Sequence, residues 1–151
     1  MKLLLASISA ARTRSKAGPS DTLTTEYLTR STRYTPAEAK TFASEAALLT
    51  WLDRQAARTA PALILCDSRG GQLTSEDFAS RLGRLRDTGT QLIVLAIGPA
   101  DGWSPAAHAR ATLVLAFGRI TLPHELARVV LAEQIYRALT ILAGHPYHSG
   151  H

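Results

Sequence analysis

Three apolar runs of strand length, Ala62–Cys66, Leu92–Ile97 and Thr112–Phe117, each empty into a glycine-bearing loop, and helical patterns separate them. A run that is apolar at every position, not at alternate ones, belongs to a strand covered on both faces. Strands of that kind joined by helices make an α/β domain with a mostly parallel sheet flanked by helices. The loops that follow, Cys66–Gly71, Gly98–Gly102 and Gly118–Thr121, then gather at one sheet edge, where open parallel sheets bind small molecules. Glycine lets a ligand approach the main chain closely, so the three loops together mark a candidate cleft.

The remaining chain fills in the helices. Lys2–Ser7 reads as a short buried strand, Ser9–Gly18 as a loop carrying Arg12, Arg14 and Lys16, and Pro19–Arg33 as a helix. Thr35-Pro-Ala-Glu38 has the form of a capping box with proline at the first helical position. It predicts a helix with Ala39, Phe42, Ala46, Leu49, Leu52 and Ala56 on one face. Thr74-Ser-Glu-Asp77 caps the next helix, which carries Phe78, Leu82 and Leu85 and ends at Gly89; Ser104-Pro105 opens a short one. The longest helix has Thr121 as its expected N-cap, Pro123 in its first turn, and Gly144 and Pro146 as its stop. Its apolar residues fall nearly all round the cylinder, so it must be covered on more than one side. Glu133 and Arg137, four apart in the order that favours an ion pair, project into its Leu126/Val129/Val130 face. Charges in that position are interfacial or functional.

A single domain over 1–151 is expected from the length. With 46% apolar and 19% charged residues, nothing in the composition calls for disorder away from the ends. Leu3–Ala6 is far shorter than a signal-peptide core, and Glu125, Arg128, Glu133 and Arg137 interrupt the long helix, so no membrane span is expected. The lone Cys66 cannot form an internal disulfide, which fits a cytoplasmic protein. The net charge of +5 is uneven: residues 1–34 hold six Lys/Arg against two acids, a net of +4. That segment, with Arg12, Arg14 and Lys16, is the candidate polyanion contact, and a solvated, solubilising surface is the alternative.

The run TLPHELARVVLAEQIYRA from Thr121 to Ala138, followed by His145-Pro-Tyr-His148, resembles the C-terminal signature of the RlmH-type ribosomal RNA methyltransferases of the SPOUT class. The resemblance is dense from Leu63 to His148, recognisable at Thr25-Glu-Tyr-Leu-Thr-Arg30, and weak between Ser31 and Ala60. It implies a C-terminal trefoil knot within about 90–148 and a homodimer whose active sites draw on both subunits. It also implies transfer of a methyl group from S-adenosylmethionine to N3 of a pseudouridine in 23S rRNA of the assembled 70S ribosome. The family's cofactor contacts land on Cys66, on Gly98, and on Phe117, Gly118, Arg119, Ile120, Thr121 and Leu122. Its LPH, EQ-YRA and PYH motifs make His124, Glu133, Arg137, Tyr147 and His148 the active-site candidates. No metal is implied.

The chain departs from the family at three places. Pro99 stands where the family has the second glycine of Ile-Gly-Gly, Ser149 stands where a basic residue usually follows PYH, and the extra strand that the family places before its second helix has only Arg33–Thr35 to supply it. That strand is expected to be short or absent.

Methyl transfer from a sulfonium asks for alignment, loss of the N3 proton and a dry pocket. Arg137 could stabilise the imide anion, His124 or His148 could accept the proton, and Tyr147 offers a ring for stacking. The helix dipole favours a neutral His124. Without the resemblance, His124 reads as a cap or structural residue and Glu133–Arg137 as an ordinary interface pair. Two other functions stay open: a catalytically weakened knotted module that binds cofactor or RNA, and a doubly wound nucleotide-binding domain, for which no G-x-G-x-x-G follows any strand.

Overall fold

The computed structural model describes residues 1–9, 18–55 and 59–149. Five strands and five helices alternate: β1 (Lys2–Ile8), α1 (Pro19–Ser31), β2 (Ala37–Phe42), α2 (Glu45–Arg54), β3 (Ala62–Gln72), α3 (Ser75–Asp87), β4 (Leu92–Ile97), α4 (Pro105–Arg110), β5 (Leu113–Ala116) and α5 (His124–Leu142). The strands form one sheet in the order β2-β1-β4-β3-β5, with every neighbouring pair parallel. The continuous apolar runs are explained by two cores. Leu3, Leu5, Ile64, Ile93 and Leu95 point to the face covered by α1, α3 and α5, while Leu4, Ala6, Leu63, Leu65, Val94 and Ala96 point to the face covered by α2 and α4.

The segment after α1 departs from the expected helix. Residues 37–42 are an edge strand paired in parallel with β1, from Leu3 opposite Ala37 to Ile8 opposite Phe42. The Thr35 hydroxyl, which a capping box would aim at a helix N-terminus, instead donates to the Met1 carbonyl at 2.6 Å, and Leu3 N–H donates to the Pro36 carbonyl at 2.8 Å. Sheet pairing with β1 overrides the local capping signal, as tertiary contacts routinely do for short segments. The family's extra strand is therefore present, six residues long. Helix α2 starts only after Ser44, whose hydroxyl accepts the Ala47 N–H at 3.1 Å, and it buries Leu48 and Leu52, leaving Ala39 and Ala46 exposed.

Residues 67–71, expected as a glycine loop, are a continuation of β3. The register against β5 slips between Cys66 and Gly71, both of which face Leu115, so the intervening residues bulge. Gly70 is required by the crossing: a Cβ there would lie 2.8 Å from the Val114 carbonyl carbon and oxygen.

Helix α5 also starts later than expected. Pro123, with ψ of 148°, is the N-cap residue and makes no side-chain cap; Thr121 lies two residues upstream in the loop. The residue before a proline is driven out of helical geometry, which leaves Leu122 and Thr121 outside the helix. The C-terminus stops as expected: Gly144 takes φ of +70° and His145 N–H closes on the Thr140 carbonyl at 2.9 Å. One long side of α5 is covered by α1, α3 and the sheet. Leu126, Val129, Val130, Glu133, Gln134 and Arg137 form a stripe along the other side that is only partly covered, and Leu126 is 54% exposed.

Candidate functional site

The ends of β3, β4 and β5 enclose a cleft of about 210 Å³. Cys66, Gly98, Phe117, Ile120, Thr121, Leu122 and His124 line it, so most of the expected cofactor positions meet in one place. Gly118 borders a neighbouring cavity instead, and Arg119 is exposed and borders neither. Gly98 is a glycine for a reason not visible in its motif. A Cβ there would lie 2.7 Å from Cε2 and Nε1 of Trp103, whose indole N–H donates to the Cys66 carbonyl at 3.1 Å. Trp103 thus ties the β4 loop to the end of β3. Pro99 is compatible with the loop because the left-handed residue is Gly102, at φ of +88°, and Gly102 N–H closes the turn on the Pro99 carbonyl.

Two ionisable groups in the cleft wall have fixed states. Desolvation pushes the Cys66 thiol up to about 12, so it is neutral and no nucleophile. Asp67 is held below the usual carboxylate range, first by the Arg69 N–H that its Oδ1 accepts at 2.9 Å. Its Oδ2 is buried without a hydrogen-bond partner, with His108 Nε2 at 3.5 Å. An ionised oxygen left in this state suits a ligand that brings hydroxyl or amino donors. The cleft therefore offers an acceptor at Asp67 beside an aromatic wall at Phe117.

About 13 Å along α5 from His124, at 1.5 Å per residue, lies a second arrangement. Glu133 Oε1 accepts Arg137 Nε at 3.0 Å, Arg137 Nη2 at 2.6 Å and the Tyr147 hydroxyl at 3.0 Å, while Gln134 Nε2 donates to Oε2 at 2.8 Å. Arg137 Nη1 lies 2.9 Å from His148 Nδ1, and His148 Nε2 lies 2.8 Å from Glu76 Oε1. A guanidinium can only donate, so His148 Nδ1 accepts, and its proton sits on Nε2, facing Glu76. Gln134 Oε1 accepts the Ser75 hydroxyl at 2.8 Å. Since Ser75 adjoins Glu76, and Gln134 adjoins Glu133, the contacts close a ring joining the first turn of α3, the middle of α5 and the C-terminal tail. Four of the five expected active-site residues meet here, and His124 stays in the cleft.

The ring fixes protonation. Its hydrogen bonds to Glu133 hold Arg137 firmly charged, raised above its usual range. Burial first, then the Glu133 carboxylate, pushes the Tyr147 phenol up to about 12, so it remains a donor. The Tyr147 ring packs edge-on against Tyr136 at 4.7 Å, and the Arg137 guanidinium lies 5.0 Å from the Tyr147 ring centroid. Sequence reasoning missed Trp103, Asp67, Ser75, Glu76 and Gln134. Ser75 and Glu76 carried only a capping signal, whereas Gln134 stood inside the EQ-YRA motif.

Arg12, Arg14 and Lys16 lie outside the described residues. After them, Gly18 N–H donates to Asp21, whose carboxylate also accepts Arg128 of α5 at 2.9 Å, tying the start of α1 to the first turns of α5. Among the described residues no group of three or more His, Cys, Asp or Glu is placed to hold a metal, and no helix is long and apolar enough to cross a membrane.

Residues 1–148 match the family model described as "Predicted SPOUT methyltransferase". The chain is 54% identical over 138 residues to the ribosomal RNA large subunit methyltransferase H of Koribacter versatilis, covering 91% of this chain and 94% of that protein. It is 46% identical over 149 residues to the protein of the same name from Mesorhizobium japonicum, covering 89% and 93%. Among solved structures, the SpoU methyltransferase AviRb from Streptomyces viridochromogenes, in complex with AdoMet, superposes with a TM-score of 0.50 at 14% identity. The match covers 95% of this chain and 61% of that one, a likeness of fold.

Proposed function

Because this chain belongs to the SPOUT methyltransferases of the ribosomal RNA large subunit methyltransferase H type, we propose that it transfers a methyl group from S-adenosylmethionine to N3 of a pseudouridine in 23S rRNA. The acceptor is the assembled 70S ribosome, in the cytoplasm. The observation that carries this reading is the pairing of a glycine-walled cleft, which α5 borders at His124, with the Glu133–Arg137–Tyr147–His148 ring that α5 forms with the tail after it.

Cys66, Gly98, Phe117, Ile120, Thr121 and Leu122 hold the cofactor, with Gly118 and Arg119 framing the loop and Asp67 meeting its donors. When bound, S-adenosylmethionine supplies an electrophilic methyl group on a sulfonium, which departs as a neutral thioether. The N3 lone pair forms the new N–C bond, and the N3 proton leaves to a base. His124 is that base: it lines the cleft and has no hydrogen-bonding partner among the described residues. His148 is committed on both nitrogens to Arg137 and Glu76. Arg137 is a fixed positive charge for the developing imide anion, and Tyr147 stacks beside the base.

Eight residues of α5 lie between His124 and Glu133, so one chain does not bring base and ring together. The half-covered stripe supplies the remedy: two copies pack their Leu126/Val129/Val130 faces, and each site takes residues from both. The chain is one domain, knotted over about 90–148. This is supported by the path of α5, which returns from the β5 edge to pack on α1, α3, β1 and β4. Arg12, Arg14 and Lys16 contact RNA phosphates, a reading supported by the charge excess of the N-terminal segment.

The test is a methyl-transfer assay on ribosomes that lack the modification, with the product located in 23S rRNA by mass spectrometry. Transfer to N3 of a pseudouridine is expected. Binding of S-adenosylmethionine without transfer would instead support a knotted binding module.

A further inference from the structure

A series of tyrosines leads away from the hydrogen-bonded ring. Tyr147 packs on Tyr136 with centroids 4.7 Å apart, and Tyr136 in turn meets Tyr27 at 6.3 Å and Tyr34 at 6.4 Å. Tyr136 directly precedes Arg137, so it points about 100° round α5 from it. The series therefore leaves the half-covered stripe at its edge and crosses to the C-terminal end of α1. There it opens to solvent. Tyr34 is 36% exposed, Tyr27 is half-buried, and the hydroxyls of Tyr27 and Tyr136 reach the surface with no hydrogen-bond partner among the described residues. Tyrosines that serve only a core bury their rings and pair their hydroxyls, and Tyr34 does neither. Residues 27–34 also hold Arg30 and Arg33 and no acid. The Arg30 guanidinium lies 5.5 Å from the Tyr27 ring centroid and pairs with Glu26. The Arg33 side chain is exposed and has no partner among the described residues.

We propose that Tyr34, with Arg30 and Arg33, forms a docking face for single-stranded RNA, on which an unpaired base beside the acceptor nucleotide stacks while Arg33 meets a phosphate. Which strand is held rests on the function proposed above. An exposed aromatic ring flanked by guanidinium groups matches the two chemistries of an unpaired nucleotide, a flat base and an anionic linkage. A duplex keeps the faces of its bases stacked on one another, so it can use the charge of this face but not its ring. The face takes no residue from the Leu126/Val129/Val130 stripe, and it lies on the same subunit as the Tyr147 assigned to the target base, two aromatic contacts away. A strand whose target base enters the two-subunit site at Tyr147 is thus received at Tyr34 by the subunit that supplies the ring.

The experiment uses the full chain and three variants. Tyr34→Leu keeps apolar bulk against Tyr136 without an aromatic ring, Tyr34→Phe keeps the ring, and Arg33→Gln removes only the charge. The probe is a fluorescent single-stranded oligouridylate of about twelve nucleotides, within the usual range of single-strand site sizes, set against an RNA duplex of equal length. Wild type is expected to bind the single strand more tightly by anisotropy. Tyr34→Leu should weaken that binding, and raise KM for ribosomes, by about tenfold, while Tyr34→Phe stays within about twofold of wild type on both. Arg33→Gln should lower the salt slope of single-strand binding by about 0.7. Equal binding of single strand and duplex by wild type, or unaltered binding in Tyr34→Leu, would overturn the face. Equal losses in Tyr34→Leu and Tyr34→Phe, or a loss confined to kcat, would overturn it by making Tyr34 a support for Tyr136 and Tyr147. A change of sedimentation in Tyr34→Leu would assign the surface to a subunit contact instead. Wild type that binds the single strand but methylates no ribosome would overturn the function proposed above and leave the face standing as a surface for unpaired RNA.

Discussion

The cleft at the strand ends and the ring that joins α5 to the C-terminal tail are built from different materials. The cleft is shaped by backbone: strand ends, a glycine that admits Trp103, and a turn whose left-handed residue is Gly102. The ring is shaped by side chains whose donors and acceptors are nearly all matched. A backbone site tolerates changes of side chain and fails when volume is added. A matched polar network tolerates small changes of volume and fails when one partner is removed and another is left desolvated. Substitutions in the two regions should therefore damage different kinetic constants.

The largest effect is expected at Arg137. Arg137→Met removes two hydrogen bonds from half-buried Glu133 and the donor to His148 Nδ1. A loss of about 3 kcal/mol, roughly a hundredfold in kcat, is expected with cofactor affinity unchanged. A double-mutant cycle with Glu133→Gln should show coupling above about 0.5 kcal/mol. Additive losses would mean that the two residues act separately.

Gly98→Ala should do the reverse. Its methyl group must displace Trp103, at a cost of about 1–3 kcal/mol in a packed wall. The Kd for S-adenosylmethionine should rise about tenfold, with Trp103 fluorescence altered and kcat at saturation nearly preserved. Unchanged affinity would remove the cleft from the cofactor site. A smaller change is expected from replacing Arg12, Arg14 and Lys16 together with Gln. KM for ribosomes should rise and the salt slope should fall by up to about 2, given roughly 0.7 per phosphate contact to single strands. Cofactor affinity should hold, and an unaltered salt slope would place the RNA contact elsewhere.

The same contrast in materials governs what could be read in advance. Strand β4, the apolar starts of β1 and β3, the caps at Thr74 and Ser104 and the stop at Gly144 are local, and they appear where their residues predict them. The cleft was legible because glycine-bearing stretches after apolar runs are a local pattern, although the first of them, 67–71, continues β3. The stretch from Thr35 to Phe42 was misread because its strand identity comes from β1, more than thirty residues away, while its own residues spell a helix start. The bulge after Cys66 was hidden for the same reason: Gly70 answers to the Val114 backbone. In the ring, Glu133 and Arg137 were visible from their spacing. Glu76 was not, because only the folded tail brings His148 to it.

Glu76 gives the smallest and most discriminating prediction. Its side chain is largely exposed, so its bond to His148 contributes little to stability. Its effect is on orientation: with Arg137 donating to Nδ1, the Glu76 carboxylate keeps the His148 proton on Nε2 and fixes the ring plane beside Tyr147. Glu76 is thus a positioning residue. Glu76→Ala should lower kcat about threefold, in line with one solvent-exposed hydrogen bond, whereas Glu76→Gln, which keeps an acceptor oxygen, should recover most of it. Hydrogen bonding from His148 holds the Glu76 carboxyl below its ordinary value of 4.5. A lowered acid contributes its contact above its unfolded value and loses it as pH falls through the folded one, so the wild-type contact survives across the neutral range and fails only in acid. The Ala variant should therefore show a kcat deficit that is constant with pH near neutrality. A deficit in Ala and Gln alike, or one that vanishes on moderate acidification, would mean that His148 is held by Arg137 alone.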